Sequence, residues 1–112
     1  MNLLRAWLAA FVLAIGSELA VAVPLLAPSG ANAWRRCAAV CLAQLATHPV
    51  VWFILPLVGL ARPAYILAAE AFALAIEALI YRFVFERLSW SRALATSALA
   101  NGVSFALGWL LR

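Results

Sequence analysis

Three glutamates and the only histidine lie inside stretches that are otherwise apolar: Glu18, His48, Glu70 and Glu77. A carboxyl can carry a proton or ligate a cation, and imidazole can do either near neutral pH. In lipid such groups are costly, ~2.5–3.5 kcal/mol for a charge at mid-membrane, so they belong inside a bundle or along a wet path. Glu70 and Glu77 are seven residues apart, nearly two helical turns, and therefore share a helix face that Tyr81 extends. Gln44 and His48 share another face with Cys37, Cys41 and Trp52, at spacings of 4, 3, 4 and 4. A third face holds Ser97, Asn101, Ser104 and Gly108. Its small residues allow close helix approach, and Asn101 can hydrogen-bond across the gap.

The candidate proton- or ion-binding residues are thus Glu18, His48, Glu77, Asn101 and Glu70, with Gln44, Tyr81 and Ser104 in support. Each has a structural reading beside the functional one. Glu18 is a protonatable coupling site or a neutral carboxyl bonded to a neighbour. His48 is a proton carrier or metal ligand, or a neutral imidazole bonded to Glu18, Glu77 or a free carbonyl. Glu77 is a proton acceptor or a partner for Arg82. Glu70 pairs with Arg62 or reaches water by snorkelling. Tyr81 reads more readily as an interface anchor than as a catalytic phenol. Pro49 cannot donate to the Leu45 carbonyl, which marks a hinge in mid-membrane, with Thr47 or Gln44 placed to help the freed acceptor.

Metal chemistry has weaker support. His48, Glu77 and Glu18 are the ligands if any divalent metal binds, but no His-Glu-x-x-His helix is present. Cys37 and Cys41 lack the Cys-x-x-Cys spacing, and positions four apart on a helix suit a disulfide poorly. No cofactor is expected, no catalytic residue can be named, and an enzyme is the less favoured class.

The elements that position these groups follow from composition. Of 112 residues, 69% are hydrophobic and only 11% are charged, too few charges to cover a soluble surface. All eight cations are arginines, at positions 5, 35, 36, 62, 82, 87, 92 and 112, which are the ends of the apolar runs. They form no helical stripe for nucleic acid and instead fit membrane anchoring. The runs predict spans over 6–26, 37–60, 64–84 and 90–110 in a single domain. The first resembles a secretory leader, with Arg5 before it and Ala20-Val-Ala22 as a cleavage box, but Glu18 interrupts the apolar region and favours a retained span. Pro24 and Pro28 bend or end it. Ser89 is the expected N-cap of the fourth.

The fold expected is all-α: a polytopic integral membrane protein, a compact antiparallel four-helix transmembrane bundle with short loops. Trp34 and Trp90 mark one interface; Trp7, Tyr65 and Trp109 mark the other. Five arginines flank loops one and three against three on the opposite side, which favours those loops in the cytoplasm and both termini outside. The Ala-rich, lysine-free composition suggests a bacterial inner membrane.

Glu18, His48, Glu77 and Asn101 fall at similar depth on four antiparallel helices. That coincidence predicts a small proton- or cation-coupled membrane protein working as a homo-oligomer. In length and in the glutamate of its first span the chain resembles the small multidrug resistance transporters, an architectural likeness only, because span three lacks that family's aromatic and glycine pattern. The alternatives are a non-catalytic subunit or assembly factor of a larger membrane complex and, third, a metal-dependent intramembrane enzyme. The expected partners are the lipid bilayer and copies of this chain or other membrane subunits, not nucleic acid.

Overall fold

The computed structural model describes residues 2–111. Four helices run through it: α1 (Leu3–Leu25), α2 (Ala33–Pro49), α3 (Arg62–Val84) and α4 (Trp90–Leu110). Beyond Pro49 the second helix continues as a π-helical turn, Val50–Ile54, and a 3-10 turn, Leu55–Val58. All four spans are long and apolar enough to cross a membrane. The long axis of the molecule, 41 Å, matches a bilayer with its headgroup regions.

The first three helices start earlier than the apolar runs, and the fourth starts where its run does. Asn2, Asn32 and Ser89 cap α1, α2 and α4 by accepting from the backbone N–H three residues on, at 2.9, 2.9 and 3.1 Å. Trp34, Arg35 and Arg36 therefore form the first turn of α2 rather than preceding it. Hydropathy alone does not see that turn, because a helix begins at its cap and its first turn can be charged. At the other ends, Gly30 and Gly59 close the 3-10 turns after α1 and after span two with φ of 79° and 80°, a conformation open to glycine.

Each helix packs against two others: α1 on α2 and α4, and α3 on the same two. With short loops this is an up-down-up-down bundle. Its two ends differ. The buried residues of α1 are Ala14, Glu18 and Ala22, and those of α4 are Ala93, Thr96, Ser97, Ala100 and Asn101. All fall from mid-span towards loops one and three. Leu26, Val40, Tyr81, Phe85 and Leu88 join Ala22 and Ala93 in one apolar cluster there. Val50–Val58, which leads to the opposite end, has no buried residue. The bundle is tight at the loop one and three end and opens towards loop two and the termini.

Arginines brace the tight end. Arg36 Nη1 donates to the Val23 carbonyl at 2.6 Å and its Nε to that of Ala31 at 3.1 Å. Arg92 Nε donates to the Leu25 carbonyl at 3.0 Å. These cations sit at the C-terminal end of α1, where free carbonyls and the helix dipole favour positive charge.

Candidate functional site

The site forms where α1, α2 and α3 meet. Gln44, 1% exposed, holds its amide between two glutamates that are 2% and 1% exposed. Its Nε2 donates to Glu18 Oε2 and, at 3.2 Å, to Glu77 Oε1. The two protons of one amide nitrogen thus serve carboxyls on two different helices. Thr47, one turn further along α2, directs its hydroxyl to the Ala43 carbonyl at 3.0 Å and to Glu77 Oε2 at 3.3 Å. Having one proton, it donates to one of these or shares it between them. Glu18 and Glu77 share Gln44 Nε2 as donor, and the other Glu18 oxygen, Oε1, is buried with no hydrogen-bond partner. Two carboxyls that share one donor in a dry core repel when both are charged, which makes the pair a candidate proton or cation site.

The helix register explains the meeting. Glu18 is about four residues past the middle of α1 and Glu77 about four past the middle of α3. These helices run in the same direction, so both carboxyls are displaced by ~6 Å towards loops one and three. Thr96 on α4 is at the same depth, and its hydroxyl is buried with no hydrogen-bond partner. The Tyr81 hydroxyl, one turn beyond Glu77, is likewise unpartnered although the residue is fully buried. The interface role expected of Tyr81 is therefore replaced by a place in the closed core.

Beside the carboxyl pair is a cavity of about 140 Å³, walled by Glu70, His48, Asn101 and Ser104 together with Glu18 and Glu77. A second cavity, of about 190 Å³, shares Val51, Trp52, Ala69, Glu70 and Phe105 with it and extends to Tyr65 and Ile66 near the start of α3. The two trace a route from the buried pair, past Glu70, towards the loop two side. Both are large enough for water, and the first is polar enough to hold it.

The remaining residues divide around this centre. The His48 ring packs against Phe11 at 5.4 Å and Trp52 at 6.2 Å between centroids, and its Nδ1 has no hydrogen-bond partner. It faces the cavity without bonding to either glutamate. Asn101 Nδ2 donates to the Ser97 carbonyl at 2.8 Å, and the Asn101 side chain lies against Glu77. Ser97 Oγ donates to the Leu74 carbonyl at 2.8 Å, the contact that ties α4 to α3. Arg82 is placed over the Trp90 ring, 5.5 Å from its centroid, instead of pairing with Glu77. Cys37 and Cys41 are free and half-buried. Among the described residues, no group of three or more His, Cys, Asp or Glu side chains is gathered so as to hold a metal ion.

Sequence reasoning ranked His48 above Gln44 and cast Thr47 only as a helper for the carbonyl that Pro49 frees. In the structure it is Gln44 and Thr47, not His48, that hydrogen-bond to the carboxyls. The signal was present in part: Gln44 lies on the predicted polar face, and Thr47 is three residues on. What hid it is that an amide carries no charge, whereas its ability to donate twice matters most where charge is scarce.

The chain matches no family model, no curated protein and no solved structure.

Proposed function

We propose that this chain is a proton- or cation-coupled membrane protein that works as an oligomer, and that the Glu18–Glu77 pair carries the exchangeable proton or ion. The observation behind this reading is the bridging amide: Gln44 donates to carboxyls from α1 and α3 beside a polar cavity that leads to one end of the bundle. A purely structural polar contact needs neither two carboxyls nor a cavity. A binding site for H⁺ or a small cation uses both, because the second carboxyl accepts what the first releases. In this reading Glu70 is the intermediate group between the pair and the opening, His48 lines the passage, and Pro49 with its π-helical turn allows the cavity wall to move. Four short spans enclose little volume, so a translocation path for anything larger calls for a second copy. The arginine distribution favours loops one and three in the cytoplasm with both termini outside, and the composition suits a bacterial inner membrane.

The second reading, a subunit of a larger complex, draws on a different surface. Ala98, Gly102 and Ala106 lie four apart on the exposed side of α4, and nothing stands within 4 Å of a Cβ built at Gly102. That face suits helix–helix docking. The experiment that separates the two is proton flux in liposomes reconstituted with the purified chain and a pH-sensitive dye inside. Coupling predicts flux above that of empty liposomes, lost in Glu18→Gln and in Glu77→Gln. Absence of flux, or flux indifferent to both substitutions, contradicts it and favours the subunit reading.

A further inference from the structure

The tight end of the bundle carries a second polar cleft, remote from the carboxyl pair. It has a volume of about 310 Å³ and lies between loop one and loop three, walled by Ser29, Gly30, Arg35, Phe85, Glu86 and Arg87 among others. Two of the five arginines at this end are committed elsewhere, Arg36 and Arg92, which donate to carbonyls at the end of α1. Arg82 lies over Trp90. Arg35 and Arg87 are exposed and are the two that face the cleft. The Arg35 guanidinium lies over the Phe85 ring, its Cζ 5.9 Å from the centroid. Arg87 reaches across to loop one, with Nη1 3.9 Å from where a side chain on Gly30 would begin. Glu86 also lines the cleft and is exposed.

The cleft lies at the headgroup level of the bilayer, since it is at the end of all four spans. Trp34 and Phe83, each next in sequence to a residue that lines the cleft, are 77% and 73% exposed and suit contact with lipid. We infer that this cleft binds the headgroup of a phospholipid bearing a primary amine, a phosphatidylethanolamine. The phosphate is held by Arg35 and Arg87, and the ammonium by Glu86. Guanidinium forks fit phosphate oxygens through paired charge-assisted hydrogen bonds. A primary ammonium offers three donors to a carboxylate. A choline headgroup has no N–H for Glu86. A glycerol headgroup brings no cation, so Glu86 would face the phosphate as an unneutralised like charge. This inference does not depend on the carboxyl pair or on any transport activity.

The test is binding of individual lipids to the full chain in detergent, read by native mass spectrometry, with dioleoyl phosphatidylethanolamine, phosphatidylcholine and phosphatidylglycerol compared. Inorganic phosphate serves as the soluble control. The expected result is preferential retention of phosphatidylethanolamine. Arg87→Gln should weaken it roughly tenfold, the loss of one charge-assisted contact. Glu86→Gln should reduce it to the level of phosphatidylcholine. Both positions are exposed, and the melting temperature of each lipid-free variant verifies that it folds. Equal retention of phosphatidylcholine, stronger retention of phosphatidylglycerol, displacement by inorganic phosphate, or indifference to both substitutions overturns the assignment.

Discussion

At the scale of the residue, the energetics turn on Gln44. Removing its amide leaves two buried carboxyls without their shared donor, while Leu keeps most of the volume. Gln44→Leu should therefore destabilise the fold by about 1–3 kcal/mol, read as a lower thermal midpoint in detergent. Restored stability in the double variant Gln44→Leu with Glu18→Gln would show that the cost comes from the stranded carboxyl. Tyr81 provides the opposite case. Its ring fills the closed end, but its hydroxyl has no partner. Tyr81→Phe should be neutral or mildly stabilising, since it removes an unsatisfied buried group, whereas Tyr81→Ala should cost about 3–5 kcal/mol through the cavity it leaves. A large loss in Tyr81→Phe would mean that water or a proton path uses the hydroxyl.

At the scale of the element, the second span is the irregular one, and its irregularity has a local cause. In the π-helical turn the Leu55 N–H donates to Val50 instead of Val51. The next residue, Pro56, has no N–H to offer. The Val51 carbonyl is thereby orphaned, and the Tyr65 hydroxyl from α3 bonds to it at 2.7 Å. In lipid such an acceptor must find a donor within the protein. Tyr65→Phe should accordingly cost about 0.6–2 kcal/mol and speed hydrogen exchange in Val50–Val58 while leaving α1 and α4 unchanged. This element also shows how far the sequence is legible. The number of spans, their antiparallel order and the Ser89 cap follow from hydropathy, loop length and cap chemistry. The π-helical turn and its Tyr65 repair do not, because they depend on which orphaned carbonyl happens to face which neighbouring hydroxyl. The same holds for Glu18 and Glu77. Depth along the spans brings them to one layer, but only helix rotation, set by packing of residues such as Ala73, Ala78 and Val40, makes them meet at one amide.

At the scale of the whole molecule, the asymmetry of the bundle matters most. One end is closed by Leu26, Val40, Tyr81, Phe85 and Leu88, and the other leads inward past Trp52 and Glu70. Single cysteines placed at Glu70 and Ser104, with the native Cys37 and Cys41 replaced, should react with a water-soluble thiol reagent added on the side of loop two. Cysteines at Ala22 and Ala93 should stay unreactive from both sides. Reaction at the closed end would show that the resting bundle opens towards loops one and three as well. If the Glu18–Glu77 pair exchanges protons with water through the cavity, a hydrophobic carbodiimide reports it. That reagent attacks protonated carboxyls in apolar surroundings. With the chain in liposomes, labelling at Glu18, Glu70 and Glu77 would be read by mass spectrometry as pH is stepped. Proton exchange at the pair should give labelling at Glu18 or Glu77 that falls as pH rises, and that persists at one glutamate when the other is replaced by Gln. Flat or absent labelling at both across the whole pH range would contradict it and leave a locked polar contact in place of a proton site.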